Sequence, residues 1–193
     1  MPDELEDVYS KDDTIFFFCD VTTQSVRDLC RELHRLSRKH ETIKVHIRSD
    51  GGCMYAGFAA MDFIRGLIAS GTIVETVVCG YCASAAVDIF LSGSRRLMGR
   101  NSYVLIHQLS VDIGGTYSTL KVEMKNNKKF MKHTRRICRR CEVFVFNENK
   151  SVLKAPPRRY TNIPSDVLEK LLKEDIILSA RKCRRYGIAD ELV

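Results

Sequence analysis

The chain has 193 residues, enough for one α/β domain with a sizeable core and too few for two ordinary domains. It is 45% apolar and 28% charged, which excludes wholesale disorder, and no run approaches the roughly 18 apolar residues of a membrane-spanning helix. The net charge of +7 is concentrated, since residues 116–159 hold 13 Lys/Arg against 3 Asp/Glu and the remainder sums to −3. Thr14–Phe18 reads as a short buried strand. A helix from Thr23 follows, with Val26, Leu29, Cys30, Leu33 and Leu36 on one face. Ile43, Val45 and Ile47 alternate with Lys44, His46 and Arg48 as a strand does, and Gly51-Gly52 breaks the chain. Ala56, Ala59, Ala60, Phe63, Ile64 and Leu67 make the next helical stripe, which Gly71 stops. Thr72–Val78 is a third strand, Ser84–Leu91 a short apolar helix and Tyr103–His107 a later strand. Strands alternating with helices predict a largely parallel sheet.

Residues 117, 120, 124, 131, 138, 141 and 145 are apolar or Cys at steps adding to sevens. They predict one helix of about 30 residues and about 45 Å, too long to lie on a small sheet alone. Asn147–Pro164 reads as a loop, and Ser165 as the N-cap of a final helix over Asp166–Lys173. The basic stripe suits an acidic partner or a solvated face; without interleaved aromatics it does not suit specific nucleic-acid binding. The acidic start lacks the apolar stretch of a secretory signal and the composition of a transit peptide. Eight cysteines without such a signal predict free thiols in a reducing compartment, the cytoplasm or an organelle stroma.

Four features carry chemistry. Gly51-Gly52 lies between strand and helix, where glycine lets backbone N–H groups approach an oxyanion, or simply makes a turn. Gly80-Tyr81-Cys82-Ala83-Ser84-Ala85-Ala86 is a small-residue turn into a helix. There Ser84 and the N–H of Ala85 sit where the helix dipole favours negative charge, or Ser84 merely caps the helix. His107 ends an apolar strand, facing a cleft or satisfying a buried carbonyl. Asp175 stands at an apolar boundary before Ile176-Ile177-Leu178, suited to orienting a histidine or capping a turn. Cys138-Arg139-Arg140-Cys141 has the spacing of half a zinc site but no second pair, so its thiols read as packing groups. Cys53 and Cys82, flanking these features, read as small buried hydrophobes.

Together these features resemble the ClpP-like proteolytic subunit of the Clp protease, a serine peptidase of the Clp/crotonase type. The resemblance runs from about Thr14 to Val193. It rests on Ser49-Asp50-Gly51-Gly52 with Ala56-Gly57, Gly80 with Ala83-Ser84, and Asn101-Ser102 leading into Ile106-His107-Gln108. Further matches are Gly114-Gly115, Asp175 with Leu178-Ser179-Ala180, and Tyr186-Gly187. It implies an α/β fold of repeated β-β-α units with a projecting long helix (a handle). One domain would span residues 1–193, with residues 116–165 as handle helix and inserted loop. It also implies Ser84 as nucleophile, His107 as base, Asp175 as third member of the triad, and the amides of Gly51 and Ala85 as oxyanion hole. The implied assembly is a homo-oligomer of heptameric rings, stacked as a tetradecamer. Peptides or unfolded proteins are cleaved inside its chamber, and ATP enters only through a partner AAA+ unfoldase. No cofactor, metal, membrane or specific nucleic acid is implied.

Three departures stand out. Asp50 replaces the proline usual before the two glycines, residues 147–164 read as an insertion, and the family's N-terminal axial-loop segment is mostly unmatched. Two other readings follow from the same residues: an inactive Clp-like subunit that only builds a ring, and a crotonase-type acyl-CoA enzyme, which also uses paired amides as an oxyanion hole.

Overall fold

In chain order the elements are β1 (Val8–Lys11), β2 (Thr14–Phe17), α1 (Thr23–Ser37), β3 (Thr42–Ser49), α2 (Met54–Ala69), β4 (Ile73–Ala83) and α3 (Ala85–Ser92). They continue with β5 (Arg95–Met98), β6 (Tyr103–Leu105), α4 (Tyr117–Arg139), β7 (Val145–Phe146), β8 (Val152–Leu153), α5 (Ser165–Glu174), β9 (Ile177–Ser179), α6 (Ala180–Arg185) and β10 (Glu191–Leu192). This computed structural model describes residues 8–108, 116–139, 145–146, 152–153 and 161–193.

The alternation read in β3 has its expected consequence: Ile43, Val45 and Ile47 are fully buried while the residues between them are not. α1 lays Val26, Leu29, Leu33 and Leu36 into the same core, each large side chain contributing about 1.5–3 kcal/mol by leaving water. Its start is fixed by a capping box, in which Ser25 N donates to Thr22 Oγ1 at 3.0 Å and Thr22 N to Ser25 Oγ at 2.9 Å.

The sheet runs β1-β2-β3-β4-β5-β10, with β6 also on β4 and β9 on β6. The β2–β3, β3–β4, β4–β5, β4–β6 and β5–β10 pairs are parallel; β1–β2 and β6–β9 are antiparallel. The mixed α/β fold and the largely parallel sheet are as the sequence predicts. β4 is the pivot. Its first half pairs with β5 through Glu75–Val78, its second with β6 through Tyr81–Ala83. Gly80 (φ +82°) lies at the division, where its N–H donates to Ser102 Oγ at 2.8 Å and Ser102 Oγ donates to Val78 O at 3.1 Å. The split directs the end of β4 away from β5 and alongside β6.

Several boundaries differ from expectation. β1 was not legible, because Val8-Tyr9-Ser10-Lys11 has too little apolar content and gains strand form from pairing with β2. The third strand extends past Val78 to Ala83, because Gly80 permits the bend that small-residue reading took as a turn. The long helix does not reach Val145, which pairs instead with Leu153 in an antiparallel β7–β8 ladder; β7 lies at the end of the stretch read as helix and β8 in the segment read as loop. Cys141 lies outside the described residues. Ser165 is the first residue of α5, not its cap; Pro164 (φ −56°) caps it, pre-set for entry into a helix. The first part of α4 stands clear, with Tyr117 79% and Met124 60% exposed. Its last turns pack back, with Ile137 and Cys138 buried and Arg135 in a two-pronged ion pair with Glu169 at 2.7 and 2.9 Å. Among the described residues no helix is long and apolar enough to cross a membrane.

Candidate active site

The C-terminal ends of β3, β4 and β6 converge, as parallel strands of an open sheet do where such folds bind ligands. β3 delivers Ser49-Asp50-Gly51-Gly52, β4 delivers Ala83-Ser84, and β6 leads into Ile106-His107. The register Ala83↔Leu105 sets Ser84 level with Ile106, one residue short of His107. A cleft of about 310 Å³ opens there, lined by Asp50, Gly52, Met54, Ser84, Ala85, Asp88, Ile106, His107, Thr134 and Cys138 among others.

Ser84 is at φ +54°, ψ −128°, a positive-φ conformation that costs a non-glycine residue about 1–3 kcal/mol. The surroundings enforce it. Ser84 N–H donates to Leu105 O at 3.0 Å, and the Gly51 turn presses from the other side. A Cβ on Gly51 (φ +101°) would lie 2.5 Å from Ser84 Cβ, 2.7 Å from Ala83 O and 3.2 Å from Ala85 N. Only glycine fits that approach. Ser84 holds the N-cap position of α3, yet its side chain makes no capping hydrogen bond, which leaves the hydroxyl for other work.

The Gly51-Gly52 turn is anchored to α1's entry: Val21 N–H donates to Gly51 O at 2.7 Å and Cys53 N–H to Val21 O at 2.7 Å. Gly51 N–H itself donates to Ser49 Oγ at 3.2 Å, so its use as an oxyanion donor requires exchange of that partner. Asp175 ends α5 in a left-handed conformation (φ +47°, ψ +45°). Gln108 N–H donates to Leu172 O at 3.0 Å, tying the chain after His107 to the helix that carries Asp175. His107 Nδ1 and Asp175 Oδ1 are 4.0 Å apart, with Asp175 67% and His107 21% exposed. A closed hydrogen bond takes about 2.6–3.2 Å, so the pair is near but open. Ser84, Ala85 and His107 thus share the cleft, Gly51 packs beneath Ser84, and Asp175 approaches His107 from α5.

Cys82 and Cys138 are buried packing groups as expected, but Cys53, at the start of α2, is exposed because the glycine turn lifts it off the core. Asp88 was missed. It is the one charged residue of the otherwise apolar α3, a departure that the sequence Ala-Ala-Val-Asp-Ile-Phe-Leu-Ser displays. Burial pushes its carboxyl up to about 7, with Arg65 opposing. Asp50 is exposed at the cleft's rim. If Ser84 acts as a nucleophile, a negative charge there opposes the oxyanion that forms beside it, so Asp50→Asn is then expected to raise the turnover of a small ester about two- to five-fold. Unchanged or slower turnover in a variant of equal melting temperature would contradict this.

Comparison with known proteins matches this architecture. A family model described as Clp protease covers residues 3–142. The ATP-dependent Clp protease proteolytic subunit 1 of Chlamydia pneumoniae is 28% identical over 183 residues, 93% of this chain and 85% of that protein. The ATP-dependent Clp protease proteolytic subunit of Deinococcus radiodurans is 25% identical over 194 residues, covering 97% and 84%. Among solved structures, a ClpP1 point mutant from Listeria monocytogenes superposes with a TM-score of 0.73 at 20% identity, over 94% of this chain and 91% of that one. With the family pattern matched across most of its length and the same fold around the cleft, the chain belongs to the Clp protease family.

Proposed function

We propose that the chain is a serine endopeptidase that cleaves peptides or unfolded proteins through Ser84, His107 and Asp175. The observation that carries this reading is Ser84: a hydroxyl without a capping role, held at positive φ at a strand end, in the same cleft as His107. In the reaction His107 takes the Ser84 proton as the hydroxyl attacks a peptide carbonyl, and then gives it to the leaving amine. Asp175 fixes the imidazole tautomer once the 4.0 Å gap closes. The Ala85 and Gly51 amides receive the oxyanion, and one such donor is worth about 2.7–4 kcal/mol in comparable sites. Water then releases the acyl group by the reverse exchange.

The open His107–Asp175 spacing and the acid at residue 50 favour a second reading, a ring-building subunit without turnover. Assayed as assembled protein against fluorogenic peptides and acyl-CoA thioesters, the chain is expected to hydrolyse peptides and leave thioesters intact. Thioester turnover without peptide cleavage would point to crotonase-type chemistry, and neither activity would point to the scaffold.

Family membership supports homo-oligomeric rings, stacked in pairs, with an ATP-dependent unfoldase delivering substrate, in the cytoplasm or an equivalent reducing compartment. Residues 1–193 form one peptidase domain in this reading, with 116–165 as the segment between rings. On α4 the apolar Tyr117, Val122 and Met124 are exposed, and so are Lys121, Lys125, Lys128, Lys129, Lys132 and Arg136. Burying the former favours stacking; repulsion among the latter opposes it and is screened over about 8 Å at physiological salt. Single rings are therefore expected at low salt and stacked rings at higher salt. Sedimentation velocity between about 0.03 and 0.5 M salt, a span set by those screening lengths, checks this. A constant particle mass would contradict it.

A further inference from the structure

We propose that Asp88 makes the cleft selective for a cationic side chain, so that the bond presented to Ser84 follows a lysine or arginine. This rests on the peptidase reading above and names its substrate class.

Asp88 lies four residues after Ser84 on α3, about 6 Å along the helix, and both line the same cleft. Every other residue of α3 is buried, from Ala85 to Ser92, whereas Asp88 is half-buried and open to the cleft. An acid in the first turn of a helix gains from the dipole without leaving water. That benefit does not account for a position enclosed this way. α2 closes over the carboxyl at Gly57, where a Cβ would lie 3.4 Å from Asp88 Oδ2 and 2.9 Å from Ala85 O.

The local charge is under-compensated. Arg65, two turns further along α2, acts on Asp88 through space, but burial outweighs it and holds the carboxyl at about 7. No ion pair joins Arg65 to Asp88 among the described residues, and Arg65 Nη2 is buried there without a hydrogen-bond partner. A cation entering the cleft would supply the missing charge. Met54, Val87, Ile106 and Cys138 offer an apolar sleeve for its aliphatic stem, and about 310 Å³ accommodates one long side chain.

Selectivity should rise with pH, because the carboxylate that attracts the cation fills as pH passes through about 7. Asp50 and His107 share the cleft, and Arg65 and Cys82 interact with the carboxyl through space. Burial pushes the Cys82 thiol well up, so it stays neutral. His107 serves the chemistry of every substrate alike and cancels in a ratio of two.

The test compares otherwise identical peptides with lysine or leucine before the scissile bond. Hydrolysis is read in the wild type, and binding of the corresponding product peptides in Ser84→Ala. Lysine is expected to lead by tenfold or more in both, with the lead growing from pH 6 to pH 8. Asp88→Asn should bring the ratio to within about threefold at all pH values. Asp88→Glu should retain the lead, and Asp88→Leu, an apolar variant that removes the buried charge, should invert it. A wild-type preference for leucine, or a lysine preference untouched by both Asp88→Asn and Asp88→Leu, overturns the proposal. Lysine-selective binding without hydrolysis overturns the peptidase reading and upholds Asp88 as the selective group.

Discussion

His107→Ala is expected to lower kcat for peptide hydrolysis by about 10⁴-fold or more, with little change in KM. In the proposed mechanism His107 is the base, which acts in the transition state, and members of a triad lose nearly the full effect when removed singly. The imidazole is 21% exposed and packs at the strand end without a large share of the core, so folding should survive. Steady-state kinetics with a melting curve separates the two effects. A variant retaining a tenth or more of wild-type kcat would show that His107 is not the base. Asp175→Asn should cost less than His107→Ala, because its carboxylate is 67% exposed and 4.0 Å from Nδ1.

Gly51→Ala is expected to disable the site and to destabilise the fold together. Its Cβ meets Ser84 Cβ at 2.5 Å and Ala83 O at 2.7 Å, and its φ of +101° is strained for alanine. Strain alone costs about 1–3 kcal/mol. Relief of the clash displaces Ser84, the proposed nucleophile, and a shift of about 1 Å at a reacting group costs about 10²-fold in rate. Gly66→Ala is the control: nothing lies within 4 Å of its added Cβ, and alanine in a helix interior should stabilise by about 0.5–1 kcal/mol. Equal melting temperatures and equal turnover in the two variants would contradict the packing described for the Gly51 turn.

Elements whose burial is written in their own residues were legible beforehand. α1 and β3 show their apolar periods without help from partners. β1 exists through pairing with β2, which its own residues do not announce, and β7 and β8 through pairing with each other. The upper half of β4 was hidden because Gly80 and the small residues after it look like a turn; the hydroxyl of Ser102, 22 positions away, keeps the strand going. Taken one at a time, Ser84, His107, Asp175, Gly51 and Ala85 each admit an ordinary structural role, and only the family pattern joins them. Their spacing along the chain carries no information on the 4.0 Å separation of His107 and Asp175, which depends on where α5 docks. Asp88 was visible as an acid in an apolar helix, yet its role depends on α2 closing over it, and that closure is a tertiary fact.

In the proposed function Ser84 is a nucleophile activated in the folded assembly. Labelling the assembled protein with a fluorophosphonate, followed by peptide mapping in a mass spectrometer, tests it most directly. One adduct per chain is expected, on Ser84, absent from Ser84→Ala and strongly slowed in His107→Ala. No adduct on the wild type, or equal labelling of wild type and Ser84→Ala, would contradict it.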